Sequence, residues 1–252
     1  MKILVTGATS GLGRNAVETL LSEGHQVIAS GRNRQAGAQL AARGAMFTPL
    51  DLSLADIAEC RALMAGCDAV WHCAAKSSPW GSRREFWQAN VQATQTLVQA
   101  AVQSGVPRFV HISTPAIYFD FQHHRQLDEG YLAKRFACHY ASSKYAAEQV
   151  VASAVSDSPD TTFTILRPRG LFGPHDRVIV PRLLAQLQRD RGVLRLPRGG
   201  NALLDLTYVG NVVQAMQLAT VHPGPLSGRV YNITNHQPQR LNELLDALLM
   251  QE

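Results

Sequence analysis

The sequence predicts an α/β fold: a Rossmann-type doubly wound parallel sheet with a small C-terminal substrate lobe. Three observations point there. A short apolar run at residues 2–6 ends in a glycine-rich turn, Thr6-Gly7-Ala8-Thr9-Ser10-Gly11-Leu12-Gly13, which opens onto apolar residues at helical spacing, Leu12, Ala16, Leu20 and Leu21. Strand-like and helix-like segments then alternate to about residue 166, the pattern of a parallel sheet covered on both faces. After Pro168 the regularity breaks, and Pro174, Pro181, Pro197, Pro223, Pro225 and Pro238 punctuate short elements. The expected division is a dinucleotide-binding core with the catalytic residues, 1–167, and a less regular part, 168–252, which resembles the substrate lobe of related folds, with some pieces returning to the core.

Taken in order, the first strand (2–6) and the helix at 11–23 place the glycines where a dinucleotide site begins. Glycine lets the backbone turn tightly and approach a pyrophosphate, and the helix N-terminus offers unpaired N–H groups and a positive dipole end. Gly7, Gly11 and Gly13 are spaced G-x-x-x-G-x-G, a departure from G-x-G-x-x-G. A second strand follows at 26–30. An acidic residue at its end would accept a hydrogen bond from the adenosine ribose of NAD, whereas arginine accommodates the 2′-phosphate of NADP. Residues 27–34 contain no Asp or Glu but do contain Arg32 and Arg34, so NADP(H) is expected in preference to NAD(H); the alternative is that both arginines point to solvent. Asp51-Leu52 follows a third apolar strand and Cys73-Ala74-Ala75 a fourth. A strand at 109–112 runs into Ser113-Thr114-Pro115, and a helix at 140–154 begins with Tyr140-Ala141-Ser142-Ser143-Lys144. Four residues apart on a helix, Tyr140 and Lys144 share one face. A free tyrosine has a pKa of about 10, and a neighbouring ammonium would lower it toward acid–base use. The hydroxyls of Thr114 and Tyr140 could donate to a carbonyl oxygen gaining negative charge, with Ser113 competing for the role of Thr114.

The glycine spacing and the later Tyr-x-x-x-Lys resemble the short-chain dehydrogenase/reductase superfamily. Asn90-Val91 with Ala93-Thr94, Gly105 through Thr114, Leu166 through Pro174, and Asp205 through Asn211 resemble its extended branch, although members of that branch usually carry T-G-x-x-G-x-x-G. Ala74-Ala75-Lys76, Trp80-Gly81-Ser82, Ser113-Thr114-Pro115 and Arg167-Pro168-Arg169 narrow the likeness to 3β-hydroxysteroid dehydrogenase-like proteins and 2-alkyl-3-oxoalkanoate reductases. The resemblance implies a phosphate loop of Gly7, Ser10, Gly11, Leu12 and Gly13, adenine contacts from Asp51 and Leu52, and a segment under the cofactor at Ala74-Ala75. It further implies that Lys144 holds the nicotinamide ribose and that Thr114 binds the substrate oxygen. Pro168-Arg169 would wrap the nicotinamide end, with Arg169 alternatively a substrate-side charge. Asn90 either supports Lys144 or is a helix-interior polar contact. The implied activity is NADP(H)-dependent interconversion of a carbonyl and a secondary alcohol on a hydrophobic 3-oxo or 3-hydroxy compound. Trp80, Phe86 and Trp87 are expected to wall the substrate or simply to pack, beside a polar insertion at 119–137. The competing readings are a nucleotide-sugar epimerase or dehydratase, against which no acidic residue follows Thr114, and a non-catalytic dinucleotide sensor, against which stands the Tyr/Lys pair. Relatives imply a homodimer through the helices near 86–102 and 140–154, and commonly a longer C-terminus than this chain has.

Composition narrows the partners to a small molecule. The formal net charge is +5, with arginines clustered between Arg177 and Arg198, but aromatics are not interleaved with them as a nucleic-acid groove requires. No run of about 18 apolar residues suggests a spanning helix, and the N-terminal apolar run, ending at Gly7, is too short for a secretory signal. The four cysteines show no C-x-x-C and no zinc-like spacing, and His123-His124 reads as a loop pair; no metal is expected, and a reducing cytoplasm suits the thiols.

Overall fold

A computed structural model describes residues 1–78 and 80–249. The first half alternates β1 (Lys2–Thr6), α1 (Gly11–Ser22), β2 (Gln26–Gly31), α2 (Arg34–Ala41), β3 (Met46–Pro49), α3 (Ile57–Met64) and β4 (Ala69–His72). Next come a short α4 (Arg83–Phe86), a π-helical turn (Trp87–Gln92) continuing into α5 (Ala93–Gln103), and β5 (Arg108–Ile112). A 3₁₀ turn (Pro115–Tyr118), α6 (His139–Asp157) and β6 (Thr162–Pro168) follow. The remainder comprises β7 (Leu171–Phe172), α7 (Val180–Arg189), β8 (Leu203–Leu204), β9 (Thr207–Tyr208), α8 (Val209–Val221), β10 (Arg229–Ile233), β11 (Gln239–Arg240) and α9 (Leu241–Leu249).

Seven strands pair in parallel in the order β10-β6-β5-β4-β1-β2-β3. The continuous apolar run of β1 reflects burial on both faces: Ile3 and Val5 pack into one core cluster with α1 and α8, and Leu4 into another with α3 and α5. β4 alternates the same way, Trp71 on one side and Val70 on the other. Strand order reverses between β1 and β4, so their C-terminal ends border the crevice where ligands of such sheets bind. Past Pro168 the chain forms two small two-stranded pairs, β7 with β9 and β11 with β8, while α8 packs on α1 and β10 extends the main sheet beside β6. Pieces of the C-terminal third thus belong to the core. No described helix is long and apolar enough to cross a membrane.

Candidate active site

Each glycine of the first turn answers a separate constraint. Gly7 sits at φ +67°, and a Cβ there would come within 2.8 Å of the Ala74 nitrogen, so β1 and the loop after β4 touch only because the side chain is missing. A Cβ on Gly13 would lie 2.3 Å from the Gly7 carbonyl oxygen, which fixes how closely α1 packs on the turn. Gly11, at φ +49°, has open space where its Cβ would stand. Ser10 precedes α1 without a side-chain cap, and no acidic residue lies in the helix's first turn. Free N–H groups, a positive helix end and a glycine open to the crevice fit a pyrophosphate.

At the end of β2, Arg32 is 78% exposed along its side chain and reaches Asp51 across 3.7 Å. Partial burial raises the Asp51 pKa, but hydrogen bonds from the Ser53 hydroxyl and amide, with the Arg32 charge, outweigh it and leave the carboxyl below its usual value. Leu52 packs on the core, and Arg34 opens α2, whose N-cap is Asn33.

Thr114 stands two residues past β5 and caps the 3₁₀ turn, its Oγ1 accepting from the Ala116 N–H at 3.2 Å. Tyr140 is the second residue of α6, which begins at His139. Burial raises the Tyr140 phenol above its ordinary pKa, with the Thr114 hydroxyl beside it pulling the other way. Lys144 is buried, and its ammonium donates to the Ile112 carbonyl at 2.6 Å and faces His111 Nε2 at 3.3 Å; burial lowers its pKa to about 8. The structure therefore corrects the expectation that Lys144 lowers the tyrosine pKa: Nζ is turned to the end of β5, and burial governs the phenol. The Ser113 hydroxyl is buried without a partner among the described residues, and Pro168 ends β6 buried while Arg169 is exposed.

Asn90 lies in the π-helical turn, a local widening that often marks functional positions. Its side chain clasps the Lys76 peptide, accepting from the N–H at 2.7 Å and donating to the carbonyl at 3.1 Å. It also donates to Ser143 Oγ at 2.9 Å, between Tyr140 and Lys144. Of the three aromatics expected at a substrate wall, only Phe86 meets Tyr140, ring centroids 6.4 Å apart. Trp80 is 82% exposed, and Trp87 lies under the Arg83 guanidinium. The insertion at 119–137 is tied down: His124 and the Tyr131 hydroxyl bond Asp120 at 2.9 and 2.6 Å.

Two polar arrangements were not singled out from sequence. His72 is held in one tautomer: the Thr94 hydroxyl donates to the Asn90 carbonyl and so accepts from His72 Nε2–H at 2.9 Å, which leaves Nδ1 to accept from the Thr6 hydroxyl at 2.8 Å. Thr6 Oγ1 also accepts from Ala74 N–H, so this buried chain runs from the floor of the glycine turn to Asn90. Secondly, Arg167 binds Glu148 through two bonds of 2.8 and 2.6 Å, both side chains buried. Its remaining nitrogen donates to the Tyr118 hydroxyl and the Glu129 carbonyl. Glu148 is four residues beyond Lys144 on the same helix face, a spacing that could have flagged it.

A model of the NAD dependent epimerase/dehydratase family matches residues 3–234. The chain belongs to that family. It is an NAD(P)-dependent enzyme of the extended short-chain dehydrogenase/reductase type, with the Rossmann sheet expected. It is 48% identical over 251 residues to the uncharacterized protein YbjS of Escherichia coli, covering 99% of this chain and 74% of that one. It is 36% identical over 258 residues to a 2-alkyl-3-oxoalkanoate reductase of Stenotrophomonas maltophilia, covering 99% and 75%. Among solved structures, a UDP-glucuronic acid 4-epimerase from Bacillus cereus in complex with NAD superposes with a TM-score of 0.85 at 22% identity, over 100% of this chain and 85% of that one. That likeness shows the family's fold alone.

Proposed function

We propose that this protein is an NADP(H)-dependent oxidoreductase that interconverts a carbonyl and a secondary alcohol on a hydrophobic 3-oxo or 3-hydroxy compound. The observation that carries the reading is the convergence of Thr114, Tyr140 and Lys144 at the C-terminal edge of β5, beside the crevice bordered by the glycine turn. In reduction Tyr140 protonates the substrate oxygen; a phenol held above its usual pKa carries that proton at neutral pH. Thr114 Oγ1 already accepts from Ala116, so its own hydrogen is directed elsewhere and can donate to the same oxygen. Lys144 spends two of its three N–H donors on Ile112 and His111, which leaves one for the nicotinamide ribose. The hydride would be supplied or taken up by the nicotinamide once it is bound there. Gly7, Ser10, Gly11, Leu12 and Gly13 would cradle the pyrophosphate, Asp51 and Leu52 the adenine, Ala74 and Ala75 the underside, and Pro168 with Arg169 the nicotinamide end.

NADP(H) is favoured by Arg32, exposed and bound only loosely to Asp51. The substrate class is supported by relatives named as a 2-alkyl-3-oxoalkanoate reductase and a ketoreductase of a farnesylated quinoline oxide. We also infer a homodimer through α5 and α6, as the half-buried Tyr145, Ala146 and Val150 leave part of α6 uncovered; a monomeric mass by light scattering at micromolar concentration would reject it. NADPH oxidation against a panel of hydrophobic 3-oxo compounds tests the main reading, with UDP- and dTDP-sugars run without added cofactor as the opposing arm. Tyr140→Phe should cut turnover by about 10²- to 10⁴-fold while NADPH still binds. Sugar turnover, or near-normal activity of Tyr140→Phe, overturns the assignment.

A further inference from the structure

The loop after β4 holds a lysine that the chemistry above does not use. Asn90 pins the Lys76 peptide at both its N–H and its carbonyl, and the same side chain bonds Ser143, so the Lys76 backbone is fixed relative to Tyr140 and Lys144. Only the four-carbon stem is free to move. Gly81, at φ +149°, makes room for that stem: a Cβ there would fall 2.6 Å from Lys76 Cε. Nζ lies 5.5 Å from the centre of the Phe86 ring, the ring that packs on Tyr140, and the side chain is only 27% exposed. Among the described residues its one anionic contact is distant, 3.5 Å to Glu85 Oε1. Glu85 is 56% exposed and is committed through Oε2 to the amide and hydroxyl of Ser82 at the start of α4. Such an exposed pair is weak and gives way readily to a better-placed anion. The other nearby cations are engaged or turned out: Arg167 is paired with Glu148 and has four of its five N–H donors taken by Glu148, Tyr118 and Glu129, Arg83 covers Trp87, and Arg169 is exposed.

We propose that Lys76 is a specificity-determining residue that receives a substrate carboxylate close to the reacting carbonyl, so that the enzyme prefers 3-oxo and 3-hydroxy acids to neutral ketones. This rests on the oxidoreductase reading; the acidic class is that of the relatives named as 2-alkyl-3-oxoalkanoate reductases, and what is added is the residue that selects it. In a 3-oxo acid the carboxylate is separated from the carbonyl carbon by a single carbon, so the two polar ends need recognition close together. Thr114 and Tyr140 would meet the first and Lys76, from across Phe86, the second. Glu85 opposes this, because its charge competes for the same ammonium. Removing either charge should therefore move acid recognition in opposite directions.

The experiment measures kcat and KM with NADPH for a freshly prepared long-chain 3-oxo acid and for its methyl ester, in wild type, Lys76→Met, Lys76→Arg, Glu85→Gln and Arg169→Ala. Loss of a charge-assisted bond is worth about 10- to 100-fold, so Lys76→Met should lower the acid-to-ester ratio of kcat/KM by that factor, chiefly through KM. Lys76→Arg should restore most of the ratio, and Glu85→Gln should raise it. An unaltered ratio in Lys76→Met, an equal loss on acid and ester, or a ratio controlled by Arg169 instead overturns the proposal. So does a weakened NADPH affinity in Lys76→Met that accounts for the whole effect, since the ammonium would then serve the cofactor. Wild type that reduces neither compound sinks the underlying oxidoreductase reading; wild type that reduces both while Lys76→Met treats them alike sinks only this one.

Discussion

Acidification from pH 7 to pH 5 should destabilise the fold through two histidines in the middle of the sheet. His72 in β4 and His111 in β5 are buried, their rings 5.2 Å apart. Burial first, and then the Lys144 ammonium, push His72 down to about 3; the same two causes, with His72 as a third, hold His111 well below its ordinary value. The geometry explains the resistance. His72 Nδ1 accepts from Thr6, and His111 Nε2 accepts from Lys144, so a second proton on either ring would displace an existing bond. An unfolded histidine binds its proton near pH 6.5. Both native pKa values are depressed, so below about pH 6.5 the unfolded chain binds more protons, and stability that is complete above that point is lost as pH falls. One proton corresponds to about 1.4 kcal/mol per pH unit; because an unfolded histidine is half-protonated at about pH 6.5, two give about 3 kcal/mol between pH 6.5 and 5, a large part of a net stability of about 5 to 15 kcal/mol. Urea unfolding at half-unit steps and constant ionic strength measures this. The window above pH 5 isolates the histidines, because Asp51 and Glu18, whose carboxyls are also held low, add their losses mainly below it. His72→Gln keeps a donor and an acceptor but cannot titrate, and should halve the slope. A flat unfolding free energy from pH 6.5 to 5, or the same slope in His72→Gln, would refute the neutral-histidine account.

Four substitutions probe the rest of the site. Gly13→Ala forces a Cβ to within 2.3 Å of the Gly7 carbonyl and should cost about 1 to 3 kcal/mol in thermal unfolding of the free protein, whereas Gly11→Ala meets open space, carries only the strain of its φ of +49°, about 1 to 2 kcal/mol, and should show its larger effect in NADPH titration. Arg167→Met strands the buried Glu148 carboxylate and should cost about 3 to 5 kcal/mol in denaturant unfolding, most of it recovered when Glu148 is also made Met. Arg32→Ala should weaken NADPH by about 10- to 100-fold while leaving NADH nearly unaffected, as read by fluorescence titration; equal losses would assign Arg32 to the fold or to the shared adenosine.

The parallel sheet was legible because its signals are local: apolar runs of strand length, glycines at a turn, and helix periodicity between them. Tyr140 and Lys144 were legible for the same reason, since four residues on a helix fix a face without any tertiary knowledge. What sequence withheld depends on long-range packing. Ala69-Val70-Trp71-His72 reads as a strand ending in a polar residue, and only the sheet order reveals that Thr6 and Thr94 stand on either side of that imidazole. The direction of the Lys144 ammonium was likewise invisible, because the Ile112 carbonyl that attracts it lies on a neighbouring strand. Trp80 and Phe86 look alike as aromatics in a loop and a helix, yet one is exposed and the other packs on Tyr140. Asn90 was left between two roles, and the π-helical turn that aims it at both Lys76 and Ser143 has no single-residue signature.

The circuit around Arg167 has a consequence for the order in which a working molecule is made on the ribosome. The Tyr118 hydroxyl, which receives from Arg167, donates to Asn232 at 2.7 Å, and the Asn232 amide donates to the Glu129 carboxylate at 2.7 Å. Asn232 belongs to β10, the last strand of the sheet to be synthesised, whereas six of the seven strands and the whole glycine turn precede Arg169. A nascent chain extended to that point lacks the asparagine that closes the loop before Tyr140, and it also lacks α8, whose Val212, Val213 and Met216 share a core cluster with β1 and α1. The glycine-turn side of the sheet is therefore covered only after the chain past Pro168 has emerged. Cofactor cleft and substrate side are completed by the same late segment, so the two halves of the site mature together on the ribosome.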